Sequence, residues 1–343
     1  MVDIKSLVRK NILDLVPYSS ARDEYTGKDA ILMDANESPF NGPYNRYPDP
    51  RQGELKVKLA RMLGLSVGQL FLGNGSDEAI DLLFRVFCNP GIDRAIIMDP
   101  SYGMYKVCAD INDVEVDFVE LDPDFRLNAG RMLNRVENST KIIFLCSPNN
   151  PTSNLLEEAE IVRILEGFKG IVVVDEAYID FTGGMGLIHL LGKYNNLVIL
   201  RTLSKAWAGA GIRLGMALGD PFLISLLGRV KYPYNVNLLS QEKALELLNG
   251  VQQKMDWVET ILAERKRLVE ELNALKPVRQ VHPSDANFLL IRVDDPDKLY
   301  EYLAEGGIIV RNRSRLKHCS GCLRITVGTK EENDRLIELM KLY

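Results

Sequence analysis

The sequence predicts an α/β fold, with a large, mainly parallel central sheet flanked by helices and a smaller α+β domain beside it. Two observations predict this fold. Between Gly73 and about Gly219 helical patterns alternate with short apolar runs, and after Gln241 a long helical stretch leads into a further strand and helix. The apolar runs are residues 95–98, 142–145, 171–174 and 197–200. Such runs are typical of parallel strands that are buried on both faces.

Shifts in pattern along the chain predict the domain boundaries. Residues 1–47 form an N-terminal arm that is rich in Pro, Asn, Tyr and Gly and lacks periodicity, as in segments that lie across another surface. Residues 48–240 carry the alternating pattern and form the large domain. Residues 241–343 form the C-terminal small domain, to which the arm contributes. There we predict a strand at 288–293, a helix that begins at Pro296 and a last helix that opens with a Thr329 capping box.

Composition excludes several classes of function. The 343 residues are 46% hydrophobic, which suits one large or two moderate globular domains, and the net charge of −5 gives no general affinity for nucleic acid. Five cysteines scattered among apolar residues suit reduced thiols in a cytoplasmic protein. Cys319 and Cys322 have C-x-x-C spacing, but without a second pair they predict no metal site. No apolar run has the length of a secretion signal or a membrane span.

A lysine follows the last of the predicted parallel strands. Lys205 stands on a turn of small residues just after residues 197–200, where the carboxyl end of a strand opens into a crevice. Burial and neighbouring cations can lower the pKa of such an amine enough for it to attack an aldehyde and form a Schiff base. The alternative is a solvated surface lysine, which most lysines are.

A carboxylate and a phenol end the neighbouring strand. Residues 171–174 are followed by Asp175, and Tyr178 comes three residues later. A carboxylate at this edge can pair with a protonated pyridine nitrogen, and the phenol can donate a hydrogen bond to a ring oxygen. The alternative is that Asp175 only caps the next helix.

An amide and a glycine-rich helix start complete the pattern. Asn150 lies between prolines after residues 142–145, and the proline that follows keeps it out of a helix. Gly73 and Gly75 precede a helical pattern that Ser76 could cap, which is a phosphate-binding arrangement. Each feature alone is also compatible with an ordinary turn or helix start. Together, a Schiff-base lysine, a pyridinium partner, ring-oxygen ligands and a phosphate site predict that the cofactor is pyridoxal 5′-phosphate (PLP).

With these motifs the chain resembles the fold type I PLP-dependent aminotransferases over nearly its whole length. The resemblance implies that Lys205 is the Schiff-base lysine, Asp175 the partner of the ring nitrogen, and Tyr178 and Asn150 the ligands of the ring oxygen. The catalytic residues are then Lys205, Asp175 and Tyr178. The other residues that the resemblance assigns to the cofactor are Ser76, Asp77 and Arg213 at its phosphate, Tyr102 stacked on its ring, Tyr47, and Thr202 where the family usually has serine.

More local matches are similar to the branch of this family that acts on histidinol phosphate. They imply a substrate site made of Tyr18, Asn36, Asn150, Tyr234, Arg311 and Arg324. In that branch Tyr47 and Tyr234 reach the partner subunit's site, so we expect a homodimer. Arg324 would hold the substrate anion. The expected reaction moves an amino group from histidinol phosphate to 2-oxoglutarate, which gives imidazole acetol phosphate and glutamate in L-histidine biosynthesis.

Three alternatives remain at the level of the sequence. The same scaffold serves aromatic amino acid aminotransferases and PLP-dependent decarboxylases of phosphorylated amino acids, because a fold does not fix a substrate. Tyr18, Tyr47 and Arg311 favour the histidinol phosphate branch over both. The third alternative, a regulator that only senses PLP, would need a DNA-binding extension, and we expect none.

Overall fold

The computed structural model describes residues 1–18 and 31–343, so residues 19–30 of the predicted arm lie outside the described part. The α-helices are α1 (Ile4–Leu7), α2 (Lys10–Leu13), α3 (Gly53–Leu63), α4 (Gly75–Phe87), α5 (Met104–Ile111), α6 (Ala129–Leu133), α7 (Glu158–Gly167), α8 (Pro221–Val230), α9 (Leu238–Leu247), α10 (Val251–Asn273), α11 (Pro296–Glu305) and α12 (Lys330–Leu342). The strands are β1 (Leu70–Asn74), β2 (Arg94–Asp99), β3 (Glu115–Glu120), β4 (Thr140–Cys146), β5 (Ile171–Asp175), β6 (Leu197–Thr202), β7 (Leu214–Gly219), β8 (Val278–Val281), β9 (Phe288–Val293), β10 (Arg311–Asn312) and β11 (Cys322–Thr326).

The large sheet has the strand order β1-β7-β6-β5-β4-β2-β3. Strands β3, β2, β4, β5 and β6 pair in parallel, whereas β7 runs antiparallel to both of its neighbours, β6 and β1. The predicted mainly parallel sheet is therefore confirmed, and β2, β4, β5 and β6 each contain one of the four predicted runs. Strands β1, β3 and β7 were not predicted.

Both faces of this sheet are buried, as the apolar runs require. Along β4 and β5, Ile143 and Val172 lie in one hydrophobic cluster and Phe144 and Val173 in the cluster on the opposite face. Successive strand residues point to opposite faces, so helices must cover the sheet on both sides. The short helices α1 and α2 contribute to one of these layers, where Ile12 is buried.

The second sheet is antiparallel and has the order β10-β11-β9-β8. Helices α10, α11 and α12 pack against it around a core that includes Leu268, Ile291, Leu303 and Ile337. Helix α12 begins with the predicted capping box, in which Thr329 accepts from the backbone of Glu332. This unit matches the C-terminal part of the predicted small α+β domain. No helix in residues 1–18 or 31–343 is long and apolar enough to cross a membrane.

Helix α9 lies across the predicted boundary between the domains. Its residue Ala244 is buried in the core of the large sheet, together with Leu248 just beyond the helix. The packing therefore attaches α9 to the large domain, and we propose that the small domain begins with α10. The boundary at residue 47 stays a prediction.

Candidate active site

A cavity of about 340 Å³ lies at the carboxyl edge of the large sheet, next to the antiparallel sheet. In the parallel register Cys146 pairs with Asp175 and Asp175 with Leu200, so the ends of β4, β5 and β6 meet here. The cavity brings together most of the residues that the sequence singled out: Ser76, Asp77, Tyr102, Asn150, Asp175, Tyr178, Thr202, Lys205, Arg213, Arg311 and Arg324.

Asp175 is a buried carboxylate that points into this cavity, with only 3% of its surface exposed. The Tyr105 hydroxyl donates to its Oδ2 at 2.9 Å, and the Ala177 N–H donates to its Oδ1 at 3.0 Å. Burial raises the pKa of Asp175 to about 6, although these two donors oppose the rise. Burial favours the neutral acid, so a cationic partner would lower the pKa of this group.

Lys205 occupies a half-buried position in the same cavity. Its Nζ lies 5.5 Å from the centroid of the Tyr178 ring. Burial lowers the pKa of Lys205, and the positive charge of Arg324 lowers it further, while Asp175 acts in the opposite direction. A lowered pKa increases the neutral fraction of the amine, which is the form that attacks a carbonyl carbon.

Hydrogen bonds link the two residues that we expect at the ring oxygen, Tyr178 and Asn150, to an arginine. The Asn150 amide donates to the Tyr178 hydroxyl at 3.3 Å, and Arg324 Nη1 donates to Asn150 Oδ1 at 2.5 Å. The Arg324 guanidinium also lies 5.4 Å from the centroid of the Phe288 ring. Asn150 thus orients Tyr178 and Arg324 relative to each other.

The start of α4 forms one end of the cavity. Gly75 has φ +71°, a conformation that glycine adopts without strain, and a Cβ on Gly215 would lie 2.1 Å from the Ser76 backbone nitrogen. Only glycine therefore lets β7 approach this helix so closely. Arg213 reaches the same end, where its Nη2 lies 3.7 Å from Asp77 Oδ2. The helix N-terminus and the guanidinium together suit a phosphate group.

The expectation that Ser76 caps this helix is wrong. Helix α4 already begins at Gly75, its N-cap residue is Asn74, and no side-chain hydrogen bond caps it. Ser76 is therefore inside the first turn, where its backbone N–H is one of the free donors.

Four predicted site residues lie outside the cavity of the single chain. The Tyr47 and Tyr234 rings stack on each other with centroids 4.4 Å apart, and Tyr47 is 50% exposed. Tyr18 is exposed and lines a different cavity with Lys231, and Asn36 is also exposed. Their roles in the site stay predictions.

Two site residues were not identified from the sequence. Tyr105 is fully buried, and its hydroxyl donates to Asp175. Its position three residues after Tyr102, close to a predicted site residue in the sequence, was the available signal. Arg313 lines the cavity, and its position two residues after Arg311 was the signal, because alternate residues of a strand share a face.

The chemistry of these groups fits PLP. Among residues 1–18 and 31–343, no cation contacts the buried carboxylate of Asp175, which suits a protonated ring nitrogen. Gly215 lets β7 approach the start of α4, whose backbone donors suit a phosphate, and Lys205 lines the same cavity. The residues that would hold the cofactor are Asp175 at the nitrogen, Tyr178 and Asn150 at the ring oxygen, Tyr102 at the ring, and Ser76, Asp77, Thr202 and Arg213 at the phosphate end.

Fold and site define a PLP-dependent enzyme of the aminotransferase type. A family model described as aminotransferase class I and II matches residues 25–340, and the chain belongs to this family. The histidinol-phosphate aminotransferase of Parabacteroides distasonis is 53% identical, over 99% of this chain and 99% of the relative. That of Bacteroides fragilis is 51% identical over the whole of both chains.

A solved structure agrees with these relatives. The crystal structure of the histidinol-phosphate aminotransferase from Clostridium acetobutylicum has a TM-score of 0.80 and 25% identity, over 87% of this chain and 90% of that one. The fold of the described residues is thus that of a known aminotransferase.

Proposed function

We propose that the protein transfers the amino group of histidinol phosphate to 2-oxoglutarate, giving imidazole acetol phosphate and glutamate, as a step of L-histidine biosynthesis. The observation that carries this proposal is that Lys205 lines one cavity with the buried carboxylate of Asp175 and the guanidinium of Arg324, close enough for both charges to act on its amine. Relatives that are named for this substrate and share more than half of their residues with the chain support it.

Asp175 and Lys205 perform the proton chemistry in this proposal. Bound PLP supplies the electron sink and carries the amino group between the two substrates. Asp175 stays ionised against the ring nitrogen and so holds a proton there. With the cofactor bound, the neutral Lys205 amine would act as the base that takes the proton from the substrate Cα and as the acid that gives it back. Tyr178 would donate to the ring oxygen and so help to orient the cofactor.

Arg324 binds the anionic end of both substrates. Histidinol phosphate has a phosphate and no α-carboxylate, whereas 2-oxoglutarate has carboxylates. A guanidinium can bind either anion with two parallel hydrogen bonds. Arg311, Asn150 and Tyr18 assist in this role.

We further propose that the enzyme is a cytoplasmic homodimer in which Tyr47 and Tyr234 reach the partner's site, with Tyr18 and Asn36 at the substrate. The stacked and partly exposed pair of Tyr47 and Tyr234 supports this arrangement, because such aromatic pairs suit a subunit interface. The five free, buried cysteines suit a reducing compartment.

Steady-state kinetics test the function. The measured quantity is kcat/KM for histidinol phosphate, phenylalanine and tyrosine as amino donors, each with 2-oxoglutarate, because specificity is a ratio of these efficiencies. We expect histidinol phosphate to be preferred at least about tenfold, which is one strong polar contact. Equal or higher values for the aromatic donors would favour an aromatic aminotransferase, and release of CO₂ from a phosphorylated amino acid would favour a decarboxylase.

The Lys205→Ala variant tests the site independently of substrate. Borohydride treatment of the wild-type holoenzyme should attach the cofactor to the peptide that contains Lys205, and the variant should stay unlabelled and lose its transaminase activity. Labelling of another lysine in the wild-type enzyme would contradict the assignment.

A further inference from the structure

Three arginines project from one face of the antiparallel sheet into the cavity. In the antiparallel register of β10 and β11, Arg311 lies directly opposite Arg324. Arg313 comes two residues after Arg311, and its N–H donates to the Cys322 carbonyl at 2.9 Å, which continues the pairing. Since directly opposite residues and alternate residues share a face, all three side chains are on the cavity side, where all three are lining residues.

These guanidinium groups have no acidic partner in the described part of the chain. The ion pairs among residues 1–18 and 31–343 include no contact between a carboxylate and Arg311, Arg313 or Arg324. The Nε atoms of Arg313 and Arg324 are buried, and no atom of the described residues forms a hydrogen bond with them. Burial lowers the pKa of Arg313, and the positive charges of Arg324 and Arg311 lower it further. Arg313 and Arg324 are partly buried, and partly buried cations without a counter-ion are unfavourable until an anion joins them.

We propose that Arg313 binds the phosphate group of the amino donor and that it makes this site select a phosphate monoester over a carboxylate. The inference rests on the proposed function and names a residue that determines its specificity. A carboxylate has one negative charge and two oxygens, which a single guanidinium can satisfy. A phosphate monoester carries a charge of about −1.5 to −2 at neutral pH and has three acceptor oxygens, so it can engage more than one guanidinium.

The proposal separates two roles within the cluster. Arg324, which Asn150 holds by a hydrogen bond, serves both substrates because its planar guanidinium can bind either a phosphate or a carboxylate. The Nε of Arg313 is a buried donor without a partner among the described residues, and a phosphate monoester has the third oxygen and the extra charge to use it. Loss of Arg313 should therefore affect the phosphorylated substrate selectively.

The experiment uses the holoenzyme and three variants. Arg313→Gln removes the charge, and Arg313→Lys keeps the charge without the planar guanidinium. Arg315→Gln is the matched control, because Arg315 is two residues further along, is exposed and does not line the cavity. Each half-reaction is followed in single turnovers through the cofactor absorbance, with histidinol phosphate, unphosphorylated histidinol and 2-oxoglutarate. Inhibition by inorganic phosphate against glutamate gives a readout that does not depend on the amino donor.

For Arg313→Gln we expect kcat/KM for histidinol phosphate to fall about 10- to 100-fold, as for a hydrogen bond to a charged group. The values for histidinol and 2-oxoglutarate should change less than about threefold, and inhibition by inorganic phosphate should weaken about tenfold or more. Arg313→Lys should recover part of the loss, because an ammonium binds phosphate as a point charge. Arg315→Gln should behave like the wild type.

Two results would overturn the role of Arg313. Equal losses for histidinol and histidinol phosphate would mean that the side chain only supports the fold, and unchanged kinetics would mean that it does not contact the phosphate. A wild-type enzyme that does not transaminate histidinol phosphate would instead refute the proposed function, so the two failures are distinguishable.

Discussion

Replacing Asp175 with Asn should separate the stability of the apoprotein from its activity. The pKa of this carboxylic acid rises from 3.8 to about 6 on folding, mainly because it is buried. Each pKa unit corresponds to about 1.4 kcal/mol, so the ionised carboxylate lowers the free energy of unfolding by about 3 kcal/mol. The proton is bound more tightly in the folded state. The loss is therefore absent well below pH 3.8, grows as the pH rises and is complete above about pH 6.

Asparagine has nearly the same shape and carries no charge. Its amide can keep both contacts of the carboxylate, since the Tyr105 hydroxyl can rotate to accept and the Ala177 N–H can still donate. We therefore expect the Asp175→Asn apoprotein to be more stable than the wild type by up to about 3 kcal/mol at pH 7 and by less than about 1 kcal/mol at pH 4. The holoenzyme should lose about 100- to 1,000-fold in kcat, as when a preorganised electrostatic partner is removed.

Urea unfolding of both apoproteins, measured in steps from pH 4 to pH 8, checks the stability. At each pH, the difference in the free energy of unfolding between the two proteins removes the contribution of the titrating groups that both proteins share. Single turnovers of the holoenzymes check the activity. A stability difference that does not change with pH, or a variant that is less stable at pH 7, would refute the assignment of a raised pKa to Asp175.

Two further variants test how the site is held. Tyr105→Phe removes a donor to the ionised form of Asp175, so in the apoprotein the pKa of Asp175 should rise above about 6. Urea unfolding of the apoprotein at each pH should then show the loss of stability complete only at a higher pH, and an unmoved pH dependence would show that Tyr105 does not act through Asp175. Gly215→Ala places a Cβ 2.1 Å from the backbone at the start of α4. The free energy of unfolding should fall by about 1 to 3 kcal/mol or more, which lowers the melting temperature, and the affinity for PLP should fall as well. Gly228→Ala is its control, because a Cβ there has open space, and equal behaviour of the two alanine variants would contradict the close approach.

The strands that the sequence predicted are those in the middle of the parallel sheet. Strands β4, β5 and β6 consist mostly of large apolar residues because helices cover both of their faces. The unpredicted β1 and β7 contain glycines, which weaken a strand pattern, and Gly215 is needed for close approach to α4. Edge strand β3 alternates acidic and apolar residues, so no apolar run marks it.

The sequence predicted which residues meet in the cavity where polar side chains stand at the ends of neighbouring parallel strands. Asp175 ends β5 and Lys205 comes three residues after β6, and the parallel register brings those ends together. Tyr105 and Arg313 were missed because their roles depend on contacts between distant segments. Tyr105 reaches a carboxylate 70 residues away in sequence, and Arg313 reaches the cavity only because β10 pairs with β11.

The charge of the cavity differs in sign from the charge of the whole protein. The chain has a net charge of −5, yet the charged side chains that line the cavity are five cations and two anions: Lys205, Arg213, Arg311, Arg313 and Arg324 against Asp77 and Asp175. With Lys205 neutral and the others ionised the lining carries about +2, and a protonated ring nitrogen of the cofactor would bring the site to about +3. Two phosphate groups, one from the cofactor and one from the substrate, bring about −3 to −4 at neutral pH and so nearly balance it. A substrate with a single carboxylate in place of the phosphate would leave part of this positive charge unpaired, which supports the selectivity that we propose for Arg313.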